Sequence, residues 1–362
     1  MGEPVRVGFV GVGAMGQAAH LSNYAVLPAC RVVAVAELRT ELGRKVAARY
    51  GVPRIYPDHR AMIEAEELDA IVASQPFTRH GVLVPELLEA GVPLFIEKPL
   101  AGSVEVGERI AEAVRESGTW IMVGYHKRSD PATIRARAEV ERLKETGELG
   151  ALRCVRITIP PGDWIAGGFD ENLTTDEPMP HLAHDPPPPD MDEATWRDYV
   201  AFVNYYIHQV NLLRHLLGEP YRVTHADPSG VLLVARGEGG AAGLIEMAPY
   251  RTTRDWQESA LVGFERGHVK LTLPAPLARN RAGTVEVLRD PGDGRAPVVE
   301  APQLPPVHAM RRQAENFVRA VQGEGEPPCA ADEALEDLRV ARDYIRMLRG
   351  ASQKAPPRSQ RE

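Results

Sequence analysis

With 362 residues, 44% of them hydrophobic and 25% charged, the chain has the length of two domains and the composition of an ordinary globular protein. A net charge of −8, dispersed along the chain, excludes nucleic acid and anionic membrane as main partners, since those need concentrated Lys and Arg. Cys30, Cys154 and Cys329 are isolated and form neither a disulfide framework nor a zinc spacing. No run of about 20 apolar residues is present, and Met1 leads into a strand without a signal-type stretch, so a cytoplasmic protein is expected.

Residues 5–10 are β-branched and apolar, as a parallel strand buried on both faces requires. The segment Gly11-Val12-Gly13-Ala14-Met15-Gly16 follows, and residues 14–24 read as a helix. A second buried strand over 31–36 ends at Glu37. Helices over 42–50, 58–66, 82–90 and 104–117 then alternate with strands over 70–74, 94–96 and 119–124. Such alternation means right-handed βαβ units and a doubly wound parallel sheet, a Rossmann domain over residues 1–124.

After Tyr125 the pattern changes. A helix over 131–146 precedes strands over 152–159, 231–235, 243–247, 259–264, 268–273 and 284–289, several alternating apolar and polar residues as in an antiparallel sheet with one open side. One strong helix, 197–217, interrupts them, and helices over 308–322 and 332–349 close a second domain, 125–350. A polar, flexible tail is expected over 351–362. The Pro-rich stretch 176–190 suits an extended loop that walls or covers a site. His181, His184 and Asp185 within it are not assigned as metal ligands, because such a loop exposes these residue types anyway.

A Gly-x-Gly-x-x-Gly run alone is weak evidence, but here it follows a strand, opens a helix and precedes an acidic residue at the next strand end. Gly11 permits the tight turn, Gly13 lets the backbone approach a pyrophosphate, and Gly16 lets helix and strand pack closely. The helix N-terminus, from Ala14 and Met15, offers amide donors to the phosphates. Glu37 would accept from the adenosine ribose diol and repel a 2′-phosphate, favouring NAD, while Arg39 keeps NADP open. Ligands on such sheets lie beyond the C-terminal strand ends, where Ser74-Gln75-Pro76 with His80, and Glu97-Lys98-Pro99, stand. On the 197–217 helix, Asn204 and His208 are four apart and share a face.

With these motifs the chain resembles the Gfo/Idh/MocA oxidoreductases, the glucose–fructose oxidoreductase and inositol dehydrogenase family, from about Val5 to Arg349. The resemblance rests on the glycine motif with Val12, Glu37, Pro76 with His80, Glu97-Lys98-Pro99, the segment Gly124-Tyr125-His126-Lys127-Arg128, and His208-Gln209-Val210-Asn211-Leu212-Leu213. It implies a Rossmann domain plus a C-terminal α/β domain with a large, mostly antiparallel open sheet. One side of that sheet roofs the substrate pocket, and the sheet commonly mediates homodimer or homotetramer contacts. It further implies that Lys98 and His208 contact the reacting hydroxyl or carbonyl of a carbohydrate-like small molecule. Two departures stand out: Asn204 replaces the family's common aspartate, so no carboxylate relay reaches His208, and His126 replaces an asparagine.

The activity expected is NAD(P)-dependent hydride transfer to or from a hydroxyl or keto carbon of a sugar, cyclitol or related molecule, with Lys98 and His208 handling the proton. Tyr125, His126, Arg128, Trp164 (with Asp163 beside it) and Asn204 are the candidate pocket residues. Transient redox leading to epimerisation, elimination or glycoside cleavage, imine reduction, and non-catalytic dinucleotide sensing remain the alternatives.

Overall fold

The computed structural model describes residues 3–354, with side chains described to Gly350. A six-stranded parallel sheet runs in the order β3-β2-β1-β4-β5-β6. Its strands are β1 (Val5–Val10), β2 (Cys30–Ala36), β3 (Arg54–Tyr56), β4 (Ala70–Ala73), β5 (Leu94–Ile96) and β6 (Ile121–Val123). β1, β4, β5 and β6 are almost wholly buried, because helices cover both faces. The covering helices are α1 (residues 14–24), α2 (Thr40–Tyr50), α3 (His59–Ala65), α4 (His80–Leu88) and α5 (Val104–Ser117). Asp58 and Ser103 cap α3 and α5 by accepting from Ala61 N and Val106 N. Strand order reverses between β1 and β4, which opens a crevice at their C-terminal ends.

The second sheet has eight strands in the order β14-β13-β12-β11-β7-β10-β9-β8. These are β7 (Leu152–Ile159), β8 (Tyr221–Ala226), β9 (Leu232–Gly237), β10 (Ala242–Met247), β11 (Glu258–Phe264), β12 (Gly267–Leu273), β13 (Thr284–Arg289) and β14 (Val298–Glu300). All pairings are antiparallel except β7 with β10. Burial alternates along β11 and β12, and α6 (Pro131–Thr146) packs on β12 and β13. This is the α/β architecture expected, a Rossmann sheet joined to a large, mostly antiparallel open sheet.

Several elements differ from their sequence reading. The single helix expected over 197–217 is two, α7 (Glu193–Tyr205) and α8 (Ile207–Leu217), broken at Tyr206 with φ −95° and ψ −3°. Strands β3 and β14, three residues each, carry too few residues to show a period and were not anticipated, and six-residue β8 was not anticipated either. The middle of α1, Gly16–Leu21, is π-helical. The last helices, α9 (Ala309–Val321) and α10 (Ala331–Lys354), return to the first sheet. Phe317 of α9 packs edge-on against Phe95 and Trp120 with centroids 5.8 and 5.7 Å apart. The tail expected from residue 351 is helical to Lys354, and residues 355–362 lie outside those described.

Residues 160–192 form no regular element, as the Pro-rich composition requires, and run back over the Rossmann half. Asn172 donates to Ala14 O at 3.2 Å, and Gln17 makes two hydrogen bonds with the Leu173 backbone. His184 Nδ1 lies 2.9 Å from Thr78 Oγ1 and Asp185 accepts from Gly81 N, so these side chains serve as ties between loop and α4. No group of three metal-ligating side chains converges among the described residues. Nor is any described helix long and apolar enough to cross a membrane.

Candidate active site

A cavity of about 600 Å³ follows the crevice from the ends of β1 and β2 to the α7–α8 break, a size suited to a cofactor or small ligand. Gly11 has φ +87°, and a Cβ there would meet Gln75 Nε2 at 2.1 Å, so only glycine makes this turn. A Cβ on Gly13 would meet nothing nearer than Arg39 Nη2 at 3.7 Å; that glycine leaves open space beside the cavity for a phosphate-sized group. The backbone cradle therefore fits a dinucleotide, with Ala14 and Met15 at the helix start beside it.

At the end of β2, the buried Glu37 carboxylate accepts from Val12 N at 3.0 Å and from Arg39 Nε at 2.9 Å. Val12 thus acts through its amide and does not itself line the cavity. Ser74, Gln75, Pro76 and Arg79 form the opposite lip after β4. His80 lies behind them, fully buried, with Nδ1 3.1 Å from Leu100 O, so it supports the lip and touches no cavity.

Glu97 and Lys98 follow β5. Glu97 Oε1 is 2.6 Å from His20 Nε2, while its Oε2 accepts from Lys98 N. Burial opposes the Glu97 charge, but His20 and Lys98 outweigh it and hold the carboxyl below its usual range. The π-helical turn of α1 carries His20 to this contact, which no sequence motif announced. Lys98 Nζ donates to the main-chain carbonyl of Asn204 at 2.6 Å. Burial, reinforced by the Lys127 charge, lowers the Lys98 ammonium pKa; the Glu97 charge only partly offsets this.

His208, on the first turn of α8, lies edge-on to His126 with ring centroids 4.6 Å apart. Burial pushes the His208 imidazole well below its ordinary pKa, and His126, Lys98 and Lys127 add to the push. Asn204 and His208 both line the cavity, although across a helix break and not on one continuous face. His126 and Trp164 line it as well. Tyr125 does not: it is buried beneath His208, ring centroids 5.9 Å apart. Arg128 also points away, donating to Asn211 Oδ1 at 2.7 Å and pairing with Glu333. Asp163 turns inward on its own loop and accepts from Ile165 N and Ala166 N.

Among the lining residues that sequence reasoning missed are Lys127, Gln209 and Trp256, with Glu258 behind them. Lys127 and Gln209 stand inside segments already singled out, but nothing in their spacing separates inward from outward side chains. Trp256 lies on the loop before β11 in no motif, and only the tertiary fold brings it to the cavity.

Fold and crevice together define a two-sheet dinucleotide-binding protein. Residues 5–125 match the family described as "Oxidoreductase family, NAD-binding Rossmann fold", Gfo/Idh/MocA. Over 220 residues the chain is 28% identical to an inositol 2-dehydrogenase/D-chiro-inositol 3-dehydrogenase of Shouchella clausii, covering 60% of this chain and 54% of that one. The chain spans about half the length of the first curated relatives it matches. Among solved structures, an NAD binding oxidoreductase from Klebsiella pneumoniae superposes with a TM-score of 0.74 at 18% identity, covering 96% of this chain and 98% of that one. A levoglucosan dehydrogenase in complex with NADH and levoglucosan gives 0.71 at 19% identity, again with 96% and 98% coverage. Both structural matches extend the shared fold through the second sheet.

Proposed function

We propose that the protein is an NAD(P)-dependent oxidoreductase that moves a hydride between the cofactor and a carbinol or carbonyl carbon of a sugar, cyclitol or related small molecule. Residues 1–124 would bind the cofactor and 125–350 the substrate. The observation that carries this reading is that Lys98 and His208 line the same cavity as the glycine turn. The names of the inositol and levoglucosan dehydrogenases support the substrate class.

The cofactor, when bound, supplies hydride acceptance or donation at its nicotinamide. Gly11, Gly13 and Gly16 shape its cradle, and Glu37 favours an unphosphorylated ribose, hence NAD. Arg39 is tied to Glu37, which draws it away from a 2′-phosphate. Lys98 orients the reacting oxygen by donating to it. His208, kept neutral by its surroundings, accepts the hydroxyl proton during oxidation and returns it during reduction. The protein works as a homodimer or homotetramer through the open face of the second sheet, inside the cytoplasm.

The test is a spectroscopic screen for NADH formation from NAD with sugars and cyclitols, followed by the same screen with NADP. Turnover of at least one polyol, with NAD preferred, is the expected result. Absence of hydride transfer to either cofactor across the panel, from protein that binds NADH, would overturn the reading.

A further inference from the structure

Beyond the reacting end, one wall of the cavity carries polar chemistry that hydride transfer does not use. Lys127 Nζ is paired with Glu258, and both side chains are nearly inaccessible, 4% and 0% exposed. Gln209 donates from Nε2 to the other Glu258 oxygen at 2.7 Å. A carboxylate only accepts, so the amide orientation is fixed and Oε1 is left over. That Oε1 has no partner in the protein, and neither has Trp256 Nε1. Lys127 also lies 5.7 Å from the Trp256 ring centroid. Lys127, Gln209 and Trp256 line the cavity, whereas Glu258 sits behind them.

A buried polar atom without a partner is costly. A leftover acceptor beside two donors is satisfied by a ligand that can both give and take hydrogen bonds. Hydroxyl groups do this; a carboxylate cannot, having no proton to give Gln209 Oε1. Charge leads to the same choice. A lysine in a substrate cavity would ordinarily anchor an acid, but here Glu258 already neutralises it, so a carboxylate would lose hydration without gaining a free cation.

We propose that Lys127, Gln209 and Trp256, backed by Glu258, form a second subsite that grips hydroxyls remote from the reacting carbon and selects uncharged polyols against the corresponding sugar acids. This rests on the hydride-transfer reading for what occupies the other end of the cavity. Glu258 acts through Lys127 and Gln209 and is a positioning residue; it does not touch the ligand.

The experiment measures binding to NADH-loaded full-length protein by calorimetry, using myo-inositol and two matched pairs, glucose with glucuronate and galactose with galacturonate. Binding keeps this proposal separate from turnover: preferential binding without hydride transfer defeats the functional reading and leaves the subsite standing. The neutral member of a pair is expected to bind about tenfold or more tightly than its acid, because the acid leaves the buried acceptor unpaired. Glu258→Gln frees the Lys127 charge and should shrink or reverse that ratio by about tenfold. In Gln209→Met, removal of the acceptor together with the donor to Glu258 should raise KM for the polyol while kcat stays within about threefold. Acids binding as tightly as their neutral partners, no binding by any neutral probe at millimolar concentration, or an unchanged ratio in folded Glu258→Gln would each overturn the proposal.

Discussion

The Nζ atom of Lys98 donates to the main-chain carbonyl of Asn204 at 2.6 Å. Asn204 is the penultimate residue of α7, two before the break at Tyr206, so its carbonyl faces the lysine where a continuous helix would direct it along the axis to residue 208. The position where the family resemblance leads to the expectation of an aspartate is therefore coupled to Lys98 through the backbone. Loss of the carboxylate does not leave the lysine unanchored.

Asn204→Ala keeps that carbonyl and should change kcat/KM by no more than about threefold, the scale of a substitution that breaks no buried interaction. Asn204→Asp, by placing a carboxylate beside Lys98, should stabilise the ammonium and raise its pKa. A pH–rate profile reads both. A hundredfold loss in Asn204→Ala would show that the side chain itself is needed.

The His208 imidazole is held well below its ordinary pKa, first by burial and then by the charges of His126, Lys98 and Lys127. Lys98→Met removes one of those cations, so the His208 pKa should rise towards the ordinary histidine value of about 6.5. Ring-proton NMR titration of the two proteins checks the sign. An unchanged or lower pKa in Lys98→Met would place the lysine charge outside electrostatic reach.

Glu37 accepts from Val12 N and Arg39 and lines the cavity beside the glycine turn. Glu37→Ala removes the negative charge and releases Arg39. The ratio of kcat/KM for NADP to that for NAD should rise by about tenfold or more, equivalent to about 1.4 kcal/mol. If the ratio holds steady, cofactor choice is made elsewhere.

Beneath α8, Asp337 is fully buried, pairs with Arg214 and accepts from Asn211 Nδ2 at 2.8 Å. Removing one partner of a buried pair strands the other charge. Asp337→Ala should therefore cost about 3–5 kcal/mol in stability, read as a lower denaturation midpoint. A change under about 1 kcal/mol would contradict the role given to this network.

Much of the first-sheet half was legible because its chemistry is local. The glycine turn, Glu37 and the Glu97-Lys98 turn each sit at a strand end, and apolar runs with alternating helices place those ends in order. The α5 and α6 boundaries were readable for a related reason: Ser103 and Asp130 cap their first turns, and Gly118 and Gly147 take the left-handed conformation at their ends. The second-sheet half was less readable. Arg128 shares a motif with His126 yet turns to Asn211 and Glu333, and sequence cannot say which side of a short turn faces the cavity. The Tyr206 break has no glycine or proline to mark it. Glu258 meets Lys127 across 131 residues of chain, a pairing that only the folded second sheet creates.

The most direct measurement is single-turnover hydride transfer with the best polyol and saturating cofactor, in the wild type, Lys98→Met and His208→Ala. Both variants should bind NADH within about threefold of the wild type and transfer hydride about 10²–10⁴ times more slowly, the usual worth of a positioned acid–base group. Transfer at near wild-type rates in either variant would contradict the assignment of Lys98 and His208 to the reacting oxygen.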